Sequence, residues 1–163
     1  MRNKNGFTLI ELLVTIAIVS IMMAVAVPGF LEWLPRWRLK SAATDLFSNI
    51  QLAKISAIRR GTNCRITYSA GQYLLDFPNV TGAPTLKTVS LADYGSGVQF
   101  KGPAPDFDTF TAAQINFTKR GLIDQTSDAY AYLSNENEDV HYRVVLTPAA
   151  VVKLQKLVGS QWQ

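Results

Sequence analysis

The chain has 163 residues, room for one ordinary domain and an anchor but not for two large domains. Hydrophobic residues make up 48%, charged residues 17%, and the net charge is +4. A single cysteine, Cys64, excludes an intrachain disulfide, and one cysteine with one histidine excludes a usual zinc site. Mean hydropathy is slightly positive, and the apolar excess lies near the N-terminus. Removing Met1 to Gly6 takes away Arg2 and Lys4 and leaves 14 basic residues against 12 acidic, a net charge of +2. Bulk charge therefore argues little for nucleic acid.

Residues 1–6 are short, polar and basic, and Phe7 to Ile10 are apolar. Glu11 follows, and then Leu12 to Leu31 gives 20 uncharged residues in which only Thr15 and Ser20 are polar. A helix of that length spans about 30 Å, the thickness of a bilayer core. The basic flank before it sets the N-terminus in the cytoplasm and the rest outside. A secretory signal would have a shorter apolar stretch with a small-residue cleavage site after it, which Ala24-Val25-Ala26 matches weakly. A plain signal anchor explains the length but not Glu11. A carboxylate costs about 2.5–3.5 kcal/mol at the centre of a membrane helix and less near its ends, so it calls for a partner.

Lys4-Asn-Gly-Phe-Thr-Leu-Ile-Glu-Leu-Leu13 resembles the processing site of type IV prepilins and type II secretion pseudopilins. The resemblance implies cleavage after Gly6 by a prepilin peptidase and methylation of the new N-terminus, Phe7. It implies that Glu11 pairs with the free amine of a neighbouring subunit during assembly. It also implies as partners other pilin or pseudopilin subunits, an inner-membrane assembly platform, and membrane lipid before assembly. The physics agrees, since a cation and an anion in an apolar layer each lower the other's burial cost. Phe7 and Glu11 are also four apart on one helix, which leaves pairing within a chain open. Pro28 removes a helix hydrogen bond late in the span. It is read either as a tolerated membrane kink or, as in the filaments of the family, as a place where the packed helix melts.

Residues 31–40 form a boundary, with Trp33 and Trp37 suited to a membrane interface and Arg36, Arg38 and Lys40 beyond. Over residues 39–60, Leu39, Ala43, Leu46, Ile50, Ala53 and Ala57 recur at steps of four and three, predicting an amphipathic helix. Phe47 and Ile58 widen its stripe. Arg59 and Arg60 suit a helix end, which Gly61 terminates.

After Gly61 the pattern changes to short strands. Cys64–Tyr68 and Gln72–Phe77 flank a Ser-Ala-Gly turn. Leu86–Leu91, Val98–Phe100, Gln114–Phe117, Ala129–Leu133, Tyr142–Leu146 and Val151–Val158 are the other strand candidates, and residues 101–108 read as a loop. The expected architecture is α+β: one long N-terminal helix packed on an antiparallel sheet or β-sandwich. Its parts are a leader (1–6), a transmembrane or filament-core helix (7–31), an amphipathic helix (32–60) and a β-rich domain (61–163). Residues 51–63 and Ile115-Asn-Phe-Thr-Lys-Arg-Gly121 further resemble GspH/FimT-type minor pilins, a pilin-like fold. The implied location is the bacterial inner membrane, crossed once, with the β-rich part in the periplasm and later in a filament.

No catalytic constellation is visible, no enzyme activity is expected and no cofactor or metal is called for. His141, inside an alternating pattern, reads as a sheet or surface residue, and Cys64 as a small buried hydrophobe. Gly95-Ser96-Gly97 is too short for a phosphate loop. Residues 134–139 offer oxygen ligands for calcium but lack EF-hand spacing, and read as a solvated hairpin tip. Some FimT-type pilins resemble this chain and bind DNA for uptake through a Gly-Arg-x-Arg motif near the C-terminus. Here those arginines are missing. Lys119, Arg120, Lys153 and Lys156 remain as a small candidate DNA patch, with few phosphate contacts and salt-sensitive binding.

Overall fold

The computed structural model describes residues 7–82, 85–103 and 110–163. The leader with Gly6, and residues 104–108 of the expected loop, lie outside the described residues. One helix, α1, runs Leu9–Arg60, so the two helices expected from residue 7 to residue 60 are one element. Residues up to Leu34 form one unit and Pro35–Gln163 a second.

In the second unit, the expected stripe of Leu39, Ala43, Leu46, Ile50, Ala53 and Ala57 is buried, with Ala42 and Asn49 beside it. Four of these are alanines, which lets the helix backbone come close to what it covers. Phe47 is half-buried on the core. Ile58 departs from the expectation: it lies on the flank of the stripe and is 49% exposed. The helix ends as Gly61 predicts. Gly61 takes φ 62°, its N–H donates to Ile58 and that of Thr62 donates to Ala57, both at 3.2 Å. These two bonds satisfy carbonyls that the last turn would otherwise leave open.

Two antiparallel four-stranded sheets follow. The first has the order β3-β2-β1-β4, from β1 (Cys64–Ser69), β2 (Gln72–Asp76), β3 (Lys87–Ser90) and β4 (Gln114–Phe117). The second has the order β5-β6-β7-β8, from β5 (Ala129–Ser134), β6 (His141–Leu146), β7 (Val152–Val158) and β8 (Gln161–Trp162). Strand alternation sends Cys64, Ile66 and Tyr68 of β1, Tyr73 and Leu75 of β2, and Ile115 and Phe117 of β4 into one core with α1. Ala129, Ala131 and Leu133 of β5 and Val144 and Leu146 of β6 join it from the second sheet. Tyr68 stacks on Phe110 with centroids 4.7 Å apart.

The strand expected over Leu86–Leu91 is present as β3, one residue shorter at each end, and Leu91–Tyr94 turn into a 3₁₀ helix. The Ser90 hydroxyl caps that turn by accepting from the Ala92 N–H at 3.3 Å. Val98–Phe100 forms no strand; Gln99 makes one isolated bridge to Ser134. The short strand β8 has no counterpart among the sequence-based candidates.

Candidate processing and assembly site

At the start of α1, Thr8 and Glu11 close a reciprocal cap. The Glu11 carboxylate accepts from the Thr8 N–H at 2.9 Å and from the Thr8 hydroxyl at 3.0 Å, and the Thr8 hydroxyl accepts from the Glu11 N–H at 3.3 Å. This is the capping box of a Thr-x-x-Glu sequence, which satisfies two of the donors a helix start leaves free. Thr8 is a site residue that the sequence reading passed over, although the spacing of residues 8 and 11 carries the signal. Phe7 precedes the cap and is 84% exposed.

Beyond Glu11 the apolar side chains of the helix stand exposed through Leu31. The two polar side chains of that run turn back on their own backbone: the Thr15 hydroxyl donates to the Leu12 carbonyl and the Ser20 hydroxyl to the Ile16 carbonyl, each at 2.8 Å. A helix that satisfies its hydroxyls internally presents hydrocarbon alone. Pro28 lies within the helix, which continues past it to Arg60. By length and apolar character α1 is able to cross a membrane.

In the second unit, the candidate DNA residues lie on two different elements. Lys119 and Arg120 sit on the turn after β4 in the first sheet. Lys153 and Lys156 are exposed on β7 in the second. Being three apart on a strand, those two lysines point to opposite faces of the sheet. Residues 136–139 are the exposed tip of the β5–β6 hairpin, as expected, while the two residues before them depart from the solvated-tip reading. Ser134 and Asn135 are buried, the Asn135 side chain donates to Asp139 and accepts from the Val140 N–H at 3.2 Å, and Arg36 pairs with Asp139 at 2.7 Å. Asn135 and then Arg36 hold the Asp139 carboxyl below its ordinary range. These oxygens serve the fold, and no metal-sized cluster of His, Cys, Asp or Glu occurs among the described residues.

His141 opens β6, buried, and its Nε2 donates to the Glu138 carbonyl at 3.0 Å. Gly95 and Gly97 are where Arg38 and Glu136 pass close to the backbone: a Cβ at either would stand within 3.0 Å of those side chains. The Cys64 side chain is fully buried, and burial pushes its thiol up to about 11.

Residues 1–27 match the prokaryotic N-terminal methylation motif, and residues 42–150 match the family described as type II transport protein GspH. The chain belongs to the GspH family. Its fold is that of two solved relatives. The type IV minor pilin FimU of Pseudomonas aeruginosa superposes with a TM-score of 0.59 at 14% identity, over 78% of this chain and 94% of that one. The minor pseudopilin EpsH from the type 2 secretion system of Vibrio cholerae gives 0.54 at 12% identity, over 76% and 99%. Sequence identity gathers elsewhere. A fimbrial protein of Pseudomonas aeruginosa is 36% identical over 61 residues, and the type IV major pilin protein PilA of Myxococcus xanthus is 44% identical over 45 residues. The GspH-family chain spans 39% of the length of the first and 20% of the second.

Proposed function

We propose that this GspH-family chain is a minor pilin or pseudopilin, a structural subunit of a type IV pilus or of a type II secretion pseudopilus. A prepilin peptidase removes residues 1–6 by cutting after Gly6 and methylates Phe7. The apolar helix holds the subunit in the inner membrane with its β-rich unit in the periplasm. An assembly platform then transfers it to a filament, where Leu12–Leu31 packs on other subunits instead of lipid.

The observation that carries this reading is the Glu11 carboxylate, fixed one turn into an exposed apolar helix and bonded, among the described residues, to Thr8 alone. Cleavage would create a cation at Phe7 beside that anion. The capping bonds to Thr8 keep the carboxylate solvated by the chain itself until a neighbour's amine arrives. The incoming ion pair satisfies both charges at once, and only a subunit in register provides it. Pro28 leaves the carbonyl one turn before it without its usual partner, so α1 loosens there first on packing. Pro28→Ala would then slow amide exchange in that turn of the assembled filament, and unchanged exchange would remove Pro28 from the account.

Mass spectrometry of the protein taken from membranes tests the processing step. The expected chain begins at methylated Phe7; one that retains Met1, or that begins near Val27, overturns the reading. Glu11→Ala should abolish incorporation into filaments while leaving membrane insertion intact. Normal incorporation would remove the charge pair from the mechanism.

A further inference from the structure

The pattern Asn-x-Ser/Thr, with any residue but proline in the middle, is the acceptor for a saccharide attached through the asparagine amide. It occurs twice in the chain, at Asn79-Val80-Thr81 and at Asn116-Phe117-Thr118. The fold treats the two in opposite ways. Asn116 lies inside β4, opposite Arg65 of β1. Its side-chain amide donates to the Asp124 carboxylate at 2.7 Å, and the Thr118 hydroxyl donates to the Leu122 carbonyl at 3.1 Å. Phe117 between them is fully buried in the core. A transferase has to take the amide and the hydroxyl into its own cleft, and here that would mean lifting β4 off the sheet.

Asn79 lies in the connection from β2 to β3, where residues 78–82 are all exposed. The connection is pinned at Phe77, which is buried and lies under the Arg60 guanidinium at 4.4 Å. Beyond that pin the Val80 N–H donates to the Phe77 carbonyl at 3.2 Å and closes a turn over Pro78 and Asn79. Among the described residues, the side chains of Asn79 and Thr81 take part in no hydrogen bond. Gly82 follows with φ 73°, and a Cβ there would meet nothing within 4 Å. The segment can therefore bend into another protein's cleft at the loss of the bond between Val80 and Phe77, with Phe77 and the core left in place.

We propose that Asn79 is an acceptor site for an N-linked saccharide and that β4 withholds Asn116. The co-reactant is a saccharide carried on a polyprenyl diphosphate, and a transferase brings the two together. The Asn79 amide nitrogen attacks the anomeric carbon, and the N–C bond forms as the C–O bond to the diphosphate breaks. That electron pair leaves with the lipid diphosphate, and the proton lost from nitrogen passes to a base of the transferase. The Thr81 hydroxyl, two residues on, is the group the transferase reads. Use of the site in the cell rests on the reading above that the β-rich unit is exported, because the transfer takes place on the outer side of the membrane. The transfer itself needs no filament.

The test uses the full chain in detergent micelles with an oligosaccharyltransferase and a polyprenyl-diphosphate-linked oligosaccharide, in a reaction that also glycosylates free peptides spanning residues 76–82 and 113–119. Peptide mapping should find the saccharide on Asn79, with Asn116 modified at least about tenfold more slowly than in its free peptide. Thr81→Ala, a change at an exposed position, should lower modification of Asn79 at least about tenfold. Asn79 left bare in the full chain while its peptide is consumed overturns the inference, as does Asn116 modified as fast as Asn79. In the protein from its own cells the same mapping should show the saccharide on Asn79. The digest also reports the N-terminus, which separates the two readings. A chain that begins at methylated Phe7 with Asn79 bare in every copy sinks this inference alone. One that retains Met1 sinks the functional reading and leaves the micelle experiment to decide the site.

Discussion

Asn49 donates from its side-chain amide to the Tyr73 hydroxyl at 2.6 Å, a bond from the buried face of α1 to the middle of the first sheet. Asn49 is 3% exposed, and its other contacts complete a network: it donates to Asp45 at 3.1 Å and accepts from the Lys87 amine at 3.0 Å, while Tyr94 also donates to Asp45. An apolar helix face slides with little penalty, whereas a buried polar contact of fixed direction holds one register.

Asn49→Leu keeps the branched shape of the side chain and strands the Tyr73 hydroxyl. It should lower stability by about 1–3 kcal/mol, read as a shift of the urea midpoint at unchanged slope. An unaltered midpoint would mean that the network contributes nothing to the hold of the helix on the sheet.

Gly121 and Gly71 share φ +76°, but a Cβ on Gly71 meets open space while one on Gly121 would stand 2.6 Å from Ile58 Cδ1. Gly71→Ala should cost about 1 kcal/mol from backbone strain alone, and Gly121→Ala up to about 1 kcal/mol more. In an Ile58→Ala background the extra cost should vanish, which a double-mutant cycle measures. Equal costs for the two glycines would show that Ile58 yields freely.

Burial raises the hydroxyls of Tyr68 and Tyr73 above the ordinary tyrosine range. In the unfolded chain they ionise near pH 10, so above that the unfolded state has released protons that the folded state still holds. Stability present below about pH 10 is then lost as pH rises, with a slope of about 1.4 kcal/mol per pH unit for each group. Urea titrations at increasing alkalinity should show the fall, and Tyr68→Phe should make it shallower. Stability that stays flat into that range would contradict the burial of both rings.

Cys64 carries no side-chain surface, and its thiol is pushed up to about 11, first by burial and then by the nearby charge of Asp76. Iodoacetamide at neutral pH should therefore modify it only through opening of the first sheet, at a rate that rises with urea in step with unfolding. Rapid modification of the native protein would place the thiol at the surface.

The features legible in the sequence are those carried by residues close together along the chain. Lys4 to Leu13 and the apolar run after Glu11 depend on order and spacing alone. So does the stripe from Leu39 to Ala57, and so does the end of α1 at Gly61, because a helix repeats over a few residues. Gln114–Phe117 reads correctly as a strand for the same reason. The capping pair of Thr8 and Glu11 and the opposed directions of Lys153 and Lys156 were within reach of local rules as well.

What the tertiary structure alone decided depends on partners distant in the chain. The alternation of Leu86–Leu91 fits a strand, yet the capped turn after Ser90 ends it. Val98–Phe100 has strand composition but gains only a bridge to Ser134. Asn135 belongs to a polar run and is nonetheless buried, because Asp139 and the Val140 amide satisfy it and Arg36 arrives from α1 to hold Asp139. The sheet orders rest on long-range hydrogen bonds. A strand's pattern states which face it buries, while the neighbour it bonds is set by loop closure and packing over the whole unit.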